Sequence, residues 1–210
     1  VDYYTMWVHQ IKTPIASMHL ILQKEDSEDS RRLRAELFRV EQYVRMVLCF
    51  LRLDSDFTDY VIKEYRVDDI IRPAVRRLAP QFIMKKLSLE YEQTDEVALT
   101  DEKWLSFVVE QVLSNAVKYT SAGSISIKCD GDRLVISDTG IGIAAEDLPR
   151  IFDKGYTGFN GRADRKASGI GLYLCRRICD NLEHSIEAQS VPGQGTTITI
   201  GLGRNKLEVE

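Results

Sequence analysis

The sequence predicts an α+β protein: a two-helix hairpin that dimerises into a four-helix bundle, followed by an α/β sandwich with helices on one face of a mixed sheet. Three observations lead there. Apolar residues recur with 3-4-3-4 spacing over the first fifty or so positions. The pattern stops at Asp54-Ser55-Asp56-Phe57-Thr58-Asp59. Beyond it, short alternating segments interleave with helical ones. The 210 residues suffice for two small domains, and 44% hydrophobic with 29% charged residues is ordinary globular composition.

The first helix is read from Val1, Tyr4, Val8, Ile11, Ile15, Met18 and Leu22, and the second from Leu33, Leu37, Val40, Val44, Val47 and Leu51. The polar break from Gln23 to Ser30 makes them an antiparallel hairpin. One hairpin cannot bury both seams, and Phe38, Tyr43, Met46 and Leu48 add further apolar surface, so a homodimer is expected. Residues 1–54 form this first domain and 55–66 a linker. Residues 67–203 form the second domain. There Asp68 can cap a helix to about Lys86, and Leu87–Glu92 alternates like a strand. Thr100 is expected to cap a helix running to about Lys118. Ser124–Cys129 and Arg133–Ser137 read as strands about an Asp130-Gly131-Asp132 turn. A helix from Gly169 to about Asn181 follows. A second hairpin, Ser185–Ser190 and Thr196–Leu202, turns at Pro192-Gly193-Gln194-Gly195.

Several functional classes are disfavoured. The net charge of −4 and the lack of a basic stripe argue against nucleic acid. No uncharged apolar run approaches the ~20 residues that span a bilayer. Val1-Asp2-Tyr3-Tyr4 is no signal peptide. With no initiator Met and a heptad already running at residue 1, the chain reads as a piece of a longer protein. Cys49, Cys129, Cys175 and Cys179 lack disulfide-framework spacing and suit a reduced compartment. Cys175, Cys179 and His184 could in principle hold a metal, but buried free thiols are the favoured reading. His19 and His184 are read as structural.

No G-x-x-x-x-G-K-[ST] is present, so this is no P-loop protein. Gly169-Ile170-Gly171 opens a helix, but no βαβ unit surrounds it. Asp138 ends a strand, where a carboxylate can accept a hydrogen bond from an exocyclic amine. Gly140 and Gly142 let the backbone approach a flat ring or adopt positive φ. Asn115 and Gln111 lie one turn apart on one helix face. Residues 153–168 are Gly-rich and basic, and long structureless loops are usually functional. In the first helix His9 falls outside the seam. Pro14 nearby costs about 3 kcal/mol of helix stability and suggests a purposeful local kink.

Four segments in this order carry a family likeness: His9-Gln10-Ile11-Lys12-Thr13-Pro14, Asn115-Ala116-Val117-Lys118-Tyr119, Asp138-Thr139-Gly140-Ile141-Gly142 and Ser168-Gly169-Ile170-Gly171-Leu172. They resemble the H, N, G1 and G2 boxes of sensor histidine kinases of bacterial two-component systems, over roughly Val1 to Leu202. The resemblance implies a protein-histidine kinase with ATP and Mg²⁺ as cofactors. It would autophosphorylate His9 and pass the phosphoryl group to an Asp of a response regulator. Asp138 would bind the adenine amino group. Asn115 would hold Mg²⁺ through its amide oxygen, with Gln111 beside it where many relatives carry Asn. Lys118 would reach phosphate and Tyr119 line the pocket. The 153–168 loop looks like the ATP lid, with Arg162, Arg165 and Lys166 as phosphate contacts. Gly169 and Gly171 would let it pivot and present helix-start N–H groups. Ile151-Phe152 matches the box at the lid base. Gly195-Thr196-Thr197 resembles the final strand, where a Thr hydroxyl, assigned to Thr196, supports the Asp.

An imidazole of pKa about 6.5 is largely neutral at pH 7, so a ring nitrogen of His9 can attack phosphorus. Many relatives place Glu or Asp next. Gln10 cannot take a proton, but its oxygen can fix the His9 tautomer. Thr13, one turn on, would by resemblance orient a water for dephosphorylating the partner. The wording Trp7 to Pro14 resembles the short-sensor, envelope-stress type, often found beside an ABC transporter, with the full-length protein in the bacterial cell membrane. Two alternatives stand: an ATPase or serine kinase of the same superfamily, and a degenerate kinase acting as a dimeric interaction module, favoured only by Gln10 and Gln111.

Overall fold

The computed structural model describes residues 3–24, 27–54, 60–158 and 168–203, with side chains from Gln10 onward. The chain divides into two compact units at Thr58/Asp59.

The first unit contains helices α1 (Tyr3–Leu22) and α2 (Glu28–Leu53). Ser27 starts α2, its hydroxyl accepting from the Ser30 N–H at 3.1 Å, and Glu28 and Asp29 set negative charge on the first turn. His19 Nε2 lies 3.0 Å from Glu41 Oε1 and ties the two helices together. The heptad separates into two rows. Leu37 is buried and Val44 and Leu51 half-buried, whereas Leu33, Val40 and Val47, also seven apart, are 56%, 47% and 56% exposed. A single hairpin has room for one row only. Pro14 lies within α1 and has no N–H, so the Gln10 carbonyl loses its helical donor.

The second unit starts earlier than the sequence suggested. Residues 63–66, assigned above to the linker, form strand β1 (Lys63–Arg66), antiparallel to β3 (Val97–Thr100). Helix α3 (Val67–Lys85) follows at once, so Asp68 is not its cap but a first-turn residue. Its carboxylate is fully buried, accepts from the Tyr91 hydroxyl and the Thr94 N–H, and pairs with Arg72. Burial pushes Asp68 up, but these partners outweigh it and hold the carboxyl below its usual range. The helix ends at Lys86, at φ 55°, in the left-handed region usually given to glycine.

Helix α4 (Glu102–Tyr119) is capped by Asp101, not Thr100. Asp101 Oδ1 accepts from Lys103 and Trp104, while its Oδ2 accepts from the Val61 N–H at 2.8 Å. Thr100 instead ends β3, and its hydroxyl meets the buried His184 Nε2 at 2.9 Å. The remaining elements are β2 (Ser88–Tyr91), β4 (Ser124–Asp130), β5 (Arg133–Asp138), a 3₁₀ turn at Leu148–Arg150, α5 (Gly171–Asn181), β6 (Ser185–Val191) and β7 (Gly195–Gly201). The larger sheet has the order β2-β4-β5-β7-β6, with β2 parallel to β4 and the rest antiparallel.

Alternation decides which face is covered. Ile127, Ile136 and Ile198 sit side by side across three strands, with Leu134, Ile200 and Ile186 in the next row, all buried. Ser126, Ser137, Thr197 and Gln189 occupy the opposite face in register. On the helices Ile70, Ile71 and Leu78 of α3, Leu105, Val109 and Leu113 of α4, and Leu174 and Ile178 of α5 are buried; α4 packs against β5, α5 against β6, and α3 against α4. Cys175 and Cys179 are buried free thiols in this layer, and Cys49 is buried in the first unit.

Candidate functional site

The sheet carries Asp138 to the end of β5, opposite Thr196 on β7. Its Oδ1 accepts from the Gly140 N–H at 2.8 Å and from the Thr196 N–H at 3.3 Å. Thr196 therefore reaches Asp138 through its backbone. Its hydroxyl pairs with Ser190 Oγ at 3.0 Å, and Thr197 pairs with Ser137 at 2.9 Å. Burial raises the Asp138 pKa, while the Gly140 and Thr196 N–H groups and the Thr120 hydroxyl work in the opposite direction.

The glycines around Asp138 have assignable jobs. A Cβ on Gly140 would lie 2.5 Å from the Tyr119 carbonyl oxygen, 2.8 Å from Asp138 Oδ1 and 2.9 Å from Thr120 Oγ1. Gly142, at φ 68°, would meet the Val191 carbonyl oxygen at 2.2 Å. The bonds Ile141 N–H to Tyr119 O, 3.2 Å, and Gly193 N–H to Ile141 O, 2.8 Å, pin the loop between α4 and the β6–β7 turn. Both glycines thus permit close approach of protein to protein. Ser190, not singled out by sequence, completes the brace. Its Oγ accepts from the Ile143 N–H at 2.9 Å and donates to the Gly195 carbonyl at 2.8 Å.

Helix α4 brings the polar residues of its last two turns to the same region. Gln111 Nε2 donates to Asn115 Oδ1 at 3.4 Å, and the first turn of α5 crosses so closely that a Cβ on Gly171 would meet Gln111 Nε2 at 2.5 Å. Lys118 is exposed, its Nζ 4.9 Å from the Tyr119 ring centroid. The orphan carbonyls at the end of this helix are met by a residue that sequence reading passed over. Lys85 Nζ donates to Val117 O at 2.5 Å, Lys118 O at 3.0 Å and Thr120 O at 3.1 Å. Burial lowers the Lys85 pKa.

Gly155 and Gly169 close the base of the basic loop. The Gly155 N–H donates to Gly169 O at 2.9 Å, and Gly169 takes φ 65° where a Cβ would strike Gly155 backbone at 2.4 Å. Nearby, Ile151 is buried and the Arg176 guanidinium lies 4.7 Å from the Phe152 ring centroid. Arg162, Arg165 and Lys166 lie outside the described residues, as does the His9 side chain. His9 itself is on α1, in the first unit, one turn before Thr13; Gln10 and Thr13 are exposed. No helix among the described residues is long and apolar enough to cross a membrane.

This geometry offers a partly buried carboxylate with one oxygen occupied by backbone donors. It also offers an amide pair beside a helix start, and a glycine-closed basic loop. Residues 100–206 match the family described as histidine kinase-, DNA gyrase B-, and HSP90-like ATPase. Among curated proteins, the chain is 35% identical over 205 residues to the sensor histidine kinase YxdK of Bacillus subtilis, covering 94% of this chain and 63% of that protein. It is 37% identical over 201 residues to the sensor protein BceS of Halalkalibacterium halodurans, covering 92% and 60%. The chain thus spans less than two thirds of the length of either relative. Among solved structures, full-length ShkA in complex with AMPPNP superposes with a TM-score of 0.67 at 21% identity, over 97% of this chain and 46% of that one. That similarity speaks to fold.

Proposed function

The chain belongs to the histidine kinase-, DNA gyrase B- and HSP90-like ATPase family, and from that premise we propose that it is the catalytic region of a sensor histidine kinase. It transfers the γ-phosphoryl group of ATP to His9 and then to an aspartate of a response regulator. One observation carries the reading. A heptad hairpin bearing His9-Gln10-x-x-Thr13-Pro14 precedes, in one chain, a domain in which Asn115, Asp138 and Gly171 are gathered by α4, β5 and α5.

The residues fit the ligand. Asp138 Oδ1 is held by two N–H groups, which leaves Oδ2 to accept from the adenine amine. Among the described residues Asn115 Oδ1 accepts from Gln111 Nε2 at 3.4 Å, a weak bond that leaves it free to act as a hard oxygen donor to Mg²⁺. Bound Mg²⁺ would neutralise charge on the phosphates. Lys118 contributes a long-stemmed cation and Tyr119 a wall. Gly169 and Gly171 open α5, 11 residues of helix, whose first N–H groups would donate to phosphate oxygens. Arg162 belongs to the same basic loop.

In the reaction, Gln10 Oε1 accepts from one ring N–H of His9, leaving the other nitrogen's lone pair for phosphorus. A N–P bond forms as the bond from the γ-phosphorus to the bridging β–γ oxygen breaks and ADP leaves, while the other ring nitrogen keeps its proton, hydrogen-bonded to Gln10 Oε1. Catalysis is positioning plus charge stabilisation. Thr13, exposed one turn along, orients a water that attacks the aspartyl phosphate of the regulator and releases inorganic phosphate. Leu33, Val40 and Val47, exposed at heptad spacing, support a homodimer whose second hairpin covers that row. On the same reading, residues 1–54 are the dimerisation and phosphotransfer unit, and the ATP-binding unit begins by β1. A membrane-embedded sensor and a neighbouring ABC transporter belong to the full-length setting.

The test is incubation of the chain with Mg-ATP labelled at the γ-phosphate. Label that is acid-labile and alkali-stable supports a phosphohistidine. Acid-stable label would mean a serine or threonine kinase of this fold. ATP binding with no label would favour the interaction module.

A further inference from the structure

We propose that Thr120 is a specificity-determining residue for the nucleotide base, its hydroxyl bracing the Asp138 carboxylate so that one oxygen is kept for an exocyclic amine. The proposal rests on the reading of Asp138 as the base-recognising group.

Thr120 follows α4 directly and is 0% exposed. Its backbone is pinned at both ends: the N–H donates to Ala116 O at 3.1 Å and the carbonyl accepts from Lys85 Nζ at 3.1 Å. The side chain is therefore held in place by main-chain bonds. Its Oγ1 has no partner at full hydrogen-bond geometry among the described residues, an expensive state for a buried hydroxyl. The group it stands beside is Asp138. Oγ1 and Asp138 Oδ1 lie 2.9 and 2.8 Å from the same point, the place a Gly140 Cβ would occupy. Glycine at 140 leaves that side-chain position empty, with both oxygens bordering it. On the proposal, the Thr120 O–H donates across this space to the carboxylate. Consistently, the hydroxyl counts among the groups that oppose the effect of burial on Asp138.

The consequence is directional. Oδ1 already accepts from Gly140 and Thr196. A third donor from the α4 side fixes the carboxylate's rotation, and the remaining lone pairs point to the ligand. A base with an amine there gains a charge-assisted hydrogen bond; a base without one gains nothing from the brace. Thr120 thus acts through Asp138, as a positioning residue, and its effect must depend on the amine.

The experiment uses calorimetric binding of Mg-ATP and of Mg-purine riboside triphosphate, which lacks the amine, to the parent chain, Thr120→Val and Thr120→Ser. The parent should prefer ATP by about tenfold or more. Thr120→Val, isosteric but without the hydroxyl, should weaken ATP by about tenfold and the analogue by less than about twofold. Thr120→Ser should restore the ATP preference. Equal weakening of both ligands by Thr120→Val, or no weakening of ATP, overturns the proposal. If Thr120→Val does not fold, Thr120→Ala is held to the same ratio. A parent that binds both nucleotides equally refutes the reading of Asp138 itself, and this proposal with it.

Discussion

Replacing Asp138 with Asn should separate nucleotide affinity from stability. Asn keeps an oxygen in the Oδ1 position, so the bonds from Gly140 and Thr196 persist. The other oxygen becomes an NH₂, which faces an adenine amine donor to donor. A hydrogen bond to a charged acceptor contributes about 1.5–3 kcal/mol, so ATP affinity should fall roughly 10- to 100-fold. Stability should move the other way. Burial raises the Asp138 pKa above the ordinary 3.8. A carboxyl with a raised folded pKa binds more protons folded than unfolded between the two values, so stability declines as pH rises through that window. Above it, the ionised group destabilises the apo domain in full; below the ordinary value the effect vanishes. The amide removes this effect, so the melting temperature at pH 7 should be unchanged or higher. ATP binding in the parent requires the carboxylate and should weaken as pH falls through the raised value, whereas the variant should be flat there. Titration calorimetry from pH 4 to 8 and thermal melts read both. An Asp138→Asn variant that binds ATP within about threefold of the parent would show that the carboxylate does not recognise the adenine amine.

Other perturbations test the frame. Lys85→Met keeps the stem but removes three donations to the end of α4. A loss of about 1.5–3 kcal/mol by denaturant unfolding is expected, with weakened ATP binding because Lys118, Tyr119 and Thr120 sit on that turn. Lys86→Gly relieves a left-handed residue at φ 55° and should add about 0.5–1 kcal/mol, seen as a melting temperature higher by ~1–4 °C. Gln10→Glu supplies a base beside His9 and should raise the autophosphorylation rate; a lower rate would count against Gln10 as an orienter. Val40→Lys with Val47→Lys puts charge on the exposed heptad row and should leave a monomer by light scattering, with the ATP-binding unit still folded.

Much of the fold was legible because long periodic segments announce themselves. The heptads gave α1 and α2, and strict alternation gave β4 to β7 with their turns. The misses have physical causes. β1 is Lys-Glu-Tyr-Arg, exposed except for the half-buried Tyr65, and β3 buries only the small Ala98 and Thr100, so neither shows an apolar alternation and β1 falls in the segment read as linker. Thr100 and Asp101 are both capping residues. Asp101 won because Thr100 is needed as the end of β3, bonded to His184. Motifs single out glycines, but a sequence does not say what a glycine faces: Gly142 makes room for Val191 and Gly171 for Gln111. Thr196 was picked for its hydroxyl, yet its N–H makes the contact with Asp138. Lys85, Ser190 and Thr120 act through partners up to 47 positions away, a relation no local pattern carries.

The central claim is that the phosphoryl group lands on His9. The most direct measurement compares alkali-stable, acid-labile label from γ-labelled Mg-ATP on the parent, His9→Ala and His19→Ala. Label should appear on the parent and on His19→Ala, and none on His9→Ala, which should still bind ATP as the parent does. Label persisting on His9→Ala would contradict it.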